Sequence, residues 1–80
     1  MYYSYIIQSK KDNTFYYGHT DDLKKRLSEH NSGYSKYTSS KLPYVIVWYG
    51  AFVEKQKAID FEKYLKSSSG HAFSRKRLLP

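Results

Sequence analysis

The absence of cysteine from a chain of 80 residues limits how that chain can fold. A domain of this size buries only about 60% of the surface that its unfolded chain exposes, so small domains often depend on disulfides or zinc. Neither a disulfide nor a thiolate zinc site is available here, and the histidines at positions 19, 30 and 71 lack zinc-finger spacing. The core must come from bulky side chains, which the 19% aromatic content supplies. We expect one domain over residues 1–80.

The charge of the chain favours one class of partner. Fourteen Lys and Arg residues against seven Asp and Glu residues give a net charge of +7. A positive field on so small a body favours nucleic acid, although a basic protein without that partner has the same composition. No stretch approaches the roughly 20 apolar residues that cross a bilayer, and the opening MYYSYII lacks a secretory signal. We expect a cytoplasmic protein with no membrane partner.

Three segments have the composition of β-strands. Residues 2–8, YYSYIIQ, are β-branched and aromatic, and the polar turn SKKDN leads to a returning strand, TFYYG, over residues 14–18. These two segments predict a hairpin. The most apolar run, YVIVWYGAF over residues 44–52, predicts a third strand, which we expect at the centre of the sheet.

The segment after the hairpin predicts a helix with a candidate anion site. Gly18 is expected to permit the turn into this helix and Thr20 to cap it, and the helix should end near His30. Asp22, Arg26 and His30 lie at i, i+4 and i+8 and so share one face, with Asp22 in the first turn. A solvated Asp22–Arg26 ion pair is one interpretation. The other is an anion site, in which arginine binds a phosphate and histidine transfers a proton.

A second helix carries a carboxylate among its apolar positions. Residues 54–68 have Ala58, Phe61 and Leu65 at helical spacing, and Glu62 lies within this stripe. A carboxylate on the core-facing side is costly unless it is paired or binds a metal. It therefore forms a half-buried salt bridge or serves as a ligand for a hard cation such as Mg²⁺.

The remaining residues complete the predicted architecture. Gly70 is expected to interrupt the chain before a short basic helix over residues 71–79, HAFSRKRLL. The element order β-β-α-β-α-(α) indicates a small α/β (α+β) domain. Because the first two strands form a hairpin, the sheet is expected to be mixed or antiparallel.

Five polar residues are of the types that phosphodiester hydrolysis needs. Tyr5 and Tyr16, taken singly, are expected to be packing residues of the strands, and a phenol helps catalysis only where its neighbours stabilise the phenolate. Together with Arg26, His30 and Glu62 they form a more specific set. A metal neutralises the phosphate, an arginine stabilises developing charge, and a phenolate or imidazole activates water.

The order and spacing of these residues resemble the GIY-YIG nuclease domain, in particular the small stand-alone bacterial proteins that consist of little else. The first family motif falls on residues 3–5, YSY, and the second on residues 16–18, YYG. The family helix with Arg followed four residues later by His matches Arg26 and His30. The metal-binding glutamate of a later helix matches Glu62 in DFEKYLKS.

This resemblance implies a fold, an activity and residue roles. The fold would be a three-stranded antiparallel sheet flanked by helices. The activity would be cleavage of DNA phosphodiester bonds with one divalent ion, Mg²⁺ or Mn²⁺, held by Glu62. The resemblance also implies that Tyr5 or Tyr16 assists water activation, that Arg26 holds the phosphate and that His30 helps proton transfer.

Binding of DNA would depend on basic side chains that contact phosphates without regard to base sequence. Two other interpretations remain. Tyr3 and Ser4 stand where the first family motif has Gly and Ile, which favours a non-catalytic nucleic-acid-binding module on the same fold. A protein-interaction domain with an acidic partner is the third. The residues expected to contact phosphates are Lys36, Lys41, Arg75, Lys76 and Arg77.

Overall fold

The computed structural model describes residues 1–33 and 39–80, so the predicted phosphate contact Lys36 lies outside the described residues. The observed order, β-β-α-β-α-α, confirms the predicted fold class. A short 3₁₀ turn, Ser39–Lys41, precedes the third strand. The strands and helices are β1 (Tyr2–Ser9), β2 (Phe15–Thr20), α1 (Leu23–Asn31), β3 (Tyr44–Phe52), α2 (Lys55–Leu65) and α3 (Ser68–Arg77).

The three strands form an antiparallel sheet in the order β2-β1-β3. The third strand spans the predicted residues 44–52, but the expectation that it lies at the centre is wrong, because β1 is central. Four consecutive buried residues of β1, Ser4–Ile7, are covered on both faces of the sheet. In contrast, β3 exposes Val45 and Tyr49, as an edge strand can. The length of an apolar run therefore did not indicate the position of its strand.

Successive residues of β1 contact helices on opposite faces of the sheet. The Ser4 hydroxyl donates to the carbonyl oxygen of Ala58 in α2 at 2.6 Å. The hydroxyl of the next residue, Tyr5, lies 3.0 Å from Nε2 of His30 in α1. Because side chains alternate along a strand, α1 covers one face and α2 the other.

The face covered by α1 carries the buried aromatic core that the composition predicted. Tyr5, Ile7 and Tyr44 are buried there, and Leu23 and Leu27 of α1 pack against them. Full burial of one large apolar side chain contributes about 1.5–3 kcal/mol to folding. The narrow apolar stripe of α1 is therefore enough to hold that helix on the sheet.

The start of α1 differs from the prediction in its capping residue. Asp22 is the N-cap, and its Oδ1 accepts the backbone N–H of Lys25 at 3.0 Å. Thr20 is instead the last residue of β2, and its hydroxyl oxygen accepts the N–H of Asp22 at 3.1 Å. Asp22 therefore precedes the first turn. Gly33, with φ of 78°, follows the end of the helix, near the predicted end at His30.

The prediction that Gly70 interrupts the chain is wrong, because Gly70 lies in the first turn of α3. The Ser67 hydroxyl caps this helix by accepting the N–H of Gly70 at 3.1 Å. A Cβ atom at position 70 would lie 1.7 Å from the carbonyl oxygen of Tyr64 in α2. Glycine is needed there for close helix packing rather than for a break. In the described part of the chain, no helix has the length and apolar character to cross a membrane.

Candidate active site

His30 is buried at the end of α1, among three tyrosine rings. Its Nε2 lies 3.0 Å from the Tyr5 hydroxyl. The ring centroid of Tyr16 lies 5.1 Å from that of His30, and the centroid of Tyr44 lies at 6.2 Å. The structure thus brings Tyr5, Tyr16 and His30 together.

The residue after His30 fixes the end of α1 against the sheet. The Asn31 side-chain amide donates to the carbonyl oxygen of Tyr44 at 3.0 Å, and its oxygen accepts the N–H of Tyr44 at 2.6 Å. This pair of hydrogen bonds joins the helix to the first residue of β3. Because His30 precedes Asn31 directly, the imidazole has little freedom to move away from Tyr5.

Arg26 lies one helical turn before His30 and also interacts with the Tyr5 hydroxyl. Its Nη1 is 3.1 Å from Oε1 of Glu29. One interpretation of the sequence predicted an ion pair between Arg26 and Asp22. Arg26 does not form this pair, because the Asp22 carboxylate caps the helix. Partial burial opposes the charge of Arg26, but the interactions with Tyr5 and Glu29 outweigh it and raise the pKa of the guanidinium. Arg26 therefore stays charged.

The buried groups around Arg26 are neutral near pH 7. Burial raises the pKa of Tyr5 to about 12, although the Arg26 guanidinium acts in the opposite direction. Burial, followed by repulsion from Arg26, lowers the pKa of His30 below its ordinary value of 6.5. Tyr5 therefore keeps its proton and His30 lacks a charge, so among these three residues only Arg26 is a cation.

Glu62 lies on α2 and therefore on the other face of the sheet. Its side chain is 14% exposed, and each carboxylate oxygen has a cationic or imidazole partner. Oε1 lies 2.5 Å from Nδ1 of His19, and Oε2 lies 2.7 Å from Nζ of Lys66. Burial raises the pKa of Glu62, but hydrogen bonds from Lys66 and His19 outweigh it and leave the pKa below its ordinary value. The carboxylate is ionised.

Strand β2, at the edge of the sheet, carries residues of both halves of the site. Tyr16 contacts His30 on one face and His19 contacts Glu62 on the other. Gly18 lies within β2, rather than at a turn, and a Cβ atom there would be 2.5 Å from the Tyr5 hydroxyl oxygen. The Tyr5 ring can therefore lie over the backbone of β2. The charge of Glu62 acts on the Tyr5 phenol and helps to raise its pKa.

Comparison with known proteins identifies the family of this chain. A family model described as the GIY-YIG catalytic domain matches residues 1–76. The chain belongs to the GIY-YIG family. Members of this nuclease superfamily generally use a divalent metal and act on nucleic acids. The resemblance noted in the sequence is confirmed.

This GIY-YIG chain is similar to several bacterial proteins named UPF0213. The UPF0213 protein of Lacticaseibacillus paracasei is 38% identical over 71 residues, which are 88% of this chain and 79% of that protein. UPF0213 protein SpyM50708 of Streptococcus pyogenes is 42% identical over 65 residues, 80% and 70% of the two chains. The solution NMR structure of UPF0213 protein BH0048 from Bacillus halodurans matches with a TM-score of 0.56 and 33% identity. It covers 95% of this chain and 82% of that one.

Glu62 of this GIY-YIG domain fits a site for one hard cation. Its carboxylate is ionised and partly exposed, and Mg²⁺ commonly binds through one or two carboxylates, with waters and substrate phosphates as its other ligands. Residues 1–33 and 39–80 contain no cluster of three or more Asp, Glu, His or Cys side chains that could hold a metal. Because His19 and Lys66 already bind the carboxylate, an ion would replace at least one of them.

The predicted phosphate contacts of the GIY-YIG domain have different surroundings. Nζ of Lys41 lies 2.8 Å from Oδ2 of Asp12, and this ion pair holds the pKa of Asp12 well below its usual range. The charge of Lys41 is therefore partly neutralised. Arg75, Lys76 and Arg77 lie together in the last turn of α3, and all three are exposed.

Sequence reasoning missed His19 and Lys66, which contact Glu62. Lys66 follows Glu62 by four residues, a spacing that places both side chains on one face of a helix and could have been recognised. His19 lies 43 residues before Glu62. Their contact depends on how α2 crosses the sheet, so no local pattern could have indicated it.

Proposed function

We propose that this GIY-YIG protein is a divalent-metal-dependent endonuclease that hydrolyses DNA phosphodiester bonds with low sequence specificity. One observation carries the proposal. The charged Arg26 lies with Tyr5, Tyr16 and His30 at one side of β2, and the ionised Glu62 lies across the same strand. This set combines a group that binds phosphate, groups that hold protons and a carboxylate for a metal.

Arg26 is the group that would bind the scissile phosphate. A guanidinium presents a planar set of donors that matches two phosphate oxygens. Glu29 accepts from one of these donors. Tyr5 and His30 are neutral, so they do not compensate the positive charge of Arg26. Negative charge that develops on the phosphate would therefore be stabilised by Arg26.

Tyr16 is the better placed of the two tyrosines to assist water activation. Tyr5 is 3% exposed and its high pKa keeps the phenol protonated. Tyr16 is only half-buried and lines an open cleft, so a water molecule can reach it. Tyr5 and His30 then hold each other through their hydrogen bond, and the imidazole of His30 can relay a proton near Tyr16.

Glu62 would hold one Mg²⁺ or Mn²⁺ ion, with water and substrate phosphate as the other ligands. When bound, that ion would supply positive charge to the phosphate. Without the ion, Lys66 and His19 keep the Glu62 carboxylate ionised and oriented. Phosphate contacts that do not depend on base sequence would come from Arg75, Lys76 and Arg77. We place this activity in the cytoplasm, the location expected from the sequence.

A cleavage assay on plasmid, branched and single-stranded DNA with Mg²⁺ or Mn²⁺ tests this proposal. Arg26→Ala and Glu62→Gln should each lower the cleavage rate by about 10²-fold or more, since each removes charge stabilisation of the transition state. The matched controls are Lys24→Ala on α1 and Asp60→Asn on α2, both exposed, which should cleave like the wild type. Absence of cleavage on every substrate, or undiminished cleavage by both site variants, would overturn the proposal.

A non-catalytic nucleic-acid-binding module is the second candidate, and one observation favours it. Both oxygens of Glu62 already have partners in His19 and Lys66, so the carboxylate needs no metal for its charge balance. This function requires salt-dependent binding that survives Glu62→Gln and chelation by EDTA, with no cleavage. Binding that occurs only with a divalent metal would exclude it.

A further inference from the structure

A pair of aromatic rings in tilted contact lies beside the candidate active site, and no step of the proposed chemistry uses it. Tyr17 of β2 and His71 of α3 have ring centroids 5.5 Å apart and an angle of 31° between their planes. Tyr17 is half-buried and His71 is exposed, so one face of the pair is open to solvent. Tyr17 and His71 line opposite sides of a groove between the edge strand β2 and helix α3.

Two clefts join at this pair. One is lined by Tyr16 and Lys66, and the other, with a volume of about 360 Å³, by Arg75 and Leu79. The volume of this second cleft lies within the range of about 300–1,000 Å³ that is typical of small-ligand sites. Three residues, Phe15, Tyr17 and His71, line both clefts. The two clefts therefore adjoin at these shared residues, between Tyr16 of the candidate site and Arg75 of α3.

We propose that this groove binds a single-stranded segment of nucleic acid and feeds it to the site at Tyr16. The inference rests on the proposed function for its class of ligand and adds a substrate requirement: unpaired nucleotides next to the cleaved bond. A single strand, a loop or a flap meets this requirement. The groove is defined by Phe15, Tyr17, Lys66, His71 and Arg75.

The groove has the two kinds of group that single-stranded nucleic acid needs. Phe15 and Tyr17 lie two residues apart on the same face of β2, and His71 extends the aromatic surface across to α3. Aromatic side chains bind bases of any sequence by stacking, while cations follow the phosphates. Arg75 supplies that charge at one end of the groove, and Lys66, whose charge is shared with Glu62, lies at the other. In the described part of the chain, neither cleft has an acidic residue in its lining.

The aromatic lining distinguishes this ligand from a duplex. In a duplex the faces of the bases are covered by their neighbours, so stacking on a side chain requires a base that has left the helix. A surface for duplex phosphates alone would need cations but no aromatic rings. The aromatic surface made by Phe15, Tyr17 and His71 is therefore the feature that favours unpaired nucleotides.

Binding without catalysis tests the groove directly. The protein is titrated in EDTA against a fluorescent oligothymidine of about 12 nucleotides, within the site sizes of single-strand-binding folds, and against the same strand in a duplex. Tyr17→Ala should weaken binding of the single strand about 5- to 150-fold, the contribution of one stacked base, and leave duplex binding unchanged. Tyr17→Phe keeps the ring and should bind like the wild type.

Two controls separate stacking from loss of structure or charge. Tyr49→Ala removes an aromatic ring that is 55% exposed on the opposite edge strand, β3, and should not affect binding. A single strand with one 2-aminopurine should lose fluorescence on binding to the wild type and keep it with Tyr17→Ala. Thermal unfolding of each variant verifies the fold. Equal binding of the single strand by the wild type and a folded Tyr17→Ala variant would overturn the inference.

Cleavage assays with the same variants show which of the two proposals fails. If the wild type cuts nothing but binds single strands through Tyr17, the groove stands and the endonuclease proposal is overturned. If the wild type cuts duplex and single-stranded DNA equally, and Tyr17→Ala cuts both at the wild-type rate, the groove is overturned. The endonuclease proposal then stands. Selective loss of cleavage at unpaired sites in Tyr17→Ala supports both.

Discussion

At the level of single residues, Gly18 lies opposite Tyr5 in the sheet and decides where the Tyr5 ring can be. The ring crosses over the glycine and reaches the edge strand, where its phenol meets the charges of Arg26 and Glu62. No positive φ is involved. The absence of a side chain at position 18 is what gives Tyr5 its place between the two halves of the site.

Gly18→Ala is therefore expected to lower the free energy of unfolding by about 1–3 kcal/mol, the usual cost of overpacking a buried position. The new Cβ would lie 2.5 Å from the Tyr5 hydroxyl oxygen and 2.6 Å from its Cζ, and Tyr5 is held by His30. Urea unfolding measures the change. The control is Gly50→Ala, where the Cβ meets the outer edge of the half-buried Trp48 ring and a smaller loss is expected. Equal stability of Gly18→Ala and the wild type would contradict this account.

His30 should make the stability of the fold depend on pH. Its pKa is lowered from 6.5 in the fold by burial and by Arg26, so the unfolded chain binds more protons below that pH. The contribution of the neutral imidazole is complete above the unfolded pKa and is lost as pH falls through the folded pKa. The free energy of unfolding should therefore fall as the pH is lowered from about 7.5 through the ordinary histidine pKa of 6.5, a range above the titration of most carboxylates.

The His30→Gln variant tests this dependence, because it removes the titrating group while keeping a polar side chain. Its free energy of unfolding, measured by urea at several pH values, should vary less over the same range than that of the wild type. Ser69→Ala, an exposed change that removes no titratable group, should keep the wild-type slope. A slope that is unchanged in His30→Gln would assign the effect to another group.

At the level of elements, α3 is placed by one backbone contact with α2. Gly70 brings the first turn of α3 against the carbonyl group of Tyr64, and Ser67 caps the helix at that point. Helix α3 carries His71 and Arg75, which form one wall of the groove. The position of that wall relative to β2 thus depends on a glycine that the sequence pattern had indicated as a helix break.

Gly70→Ala is expected to lower the free energy of unfolding by about 3 kcal/mol or more, the upper end of overpacking costs. Its Cβ would lie 1.7 Å from a backbone oxygen, which cannot move as a side chain can. In an unhindered helix the same change stabilises by about 1 kcal/mol, so the sign of the effect is diagnostic. Ser69→Ala, one residue earlier and exposed, should have little effect. A stabilised Gly70→Ala would show that the helices are further apart.

At the level of the whole molecule, the net charge of +7 acts over dimensions of 28 × 26 × 18 Å. Part of this charge is neutralised locally, as at Lys41 and Asp12. The last turn of α3 has three basic residues and no acidic residue. The field that would attract nucleic acid is therefore strongest near the far end of the proposed groove.

The logarithm of the affinity for duplex DNA should consequently fall linearly with the logarithm of the salt concentration. The slope should be about −0.9 for each phosphate neutralised. Replacing Arg75, Lys76 and Arg77 by Gln should make that slope less steep by about 1 for each phosphate that is no longer neutralised. Anisotropy titrations at several salt concentrations measure it. Replacing Lys24 and Lys25, exposed residues of α1, by Gln is the matched control and should change the slope less. Identical slopes would place the phosphate-binding residues elsewhere.

Local sequence was enough to predict the elements and part of the candidate site. Alternation and β-branched content predicted three strands, with residues 44–52 matching β3 at both ends. The spacing of four residues placed Arg26 and His30 one turn apart on α1. These features depend on neighbours within a few residues, and the physical rules that govern them act over the same short range.

Contacts between distant parts of the chain determined the rest. The central position of β1, the pairing of Glu62 with His19 and the need for glycine at positions 18 and 70 all follow from how helices and strands pack. A glycine has the same sequence signature at a turn, a helix break or a close approach, and only its surroundings distinguish them. Gly18 and Gly70 were both interpreted as turns or breaks for this reason, whereas each makes room for a tyrosine ring or a neighbouring helix.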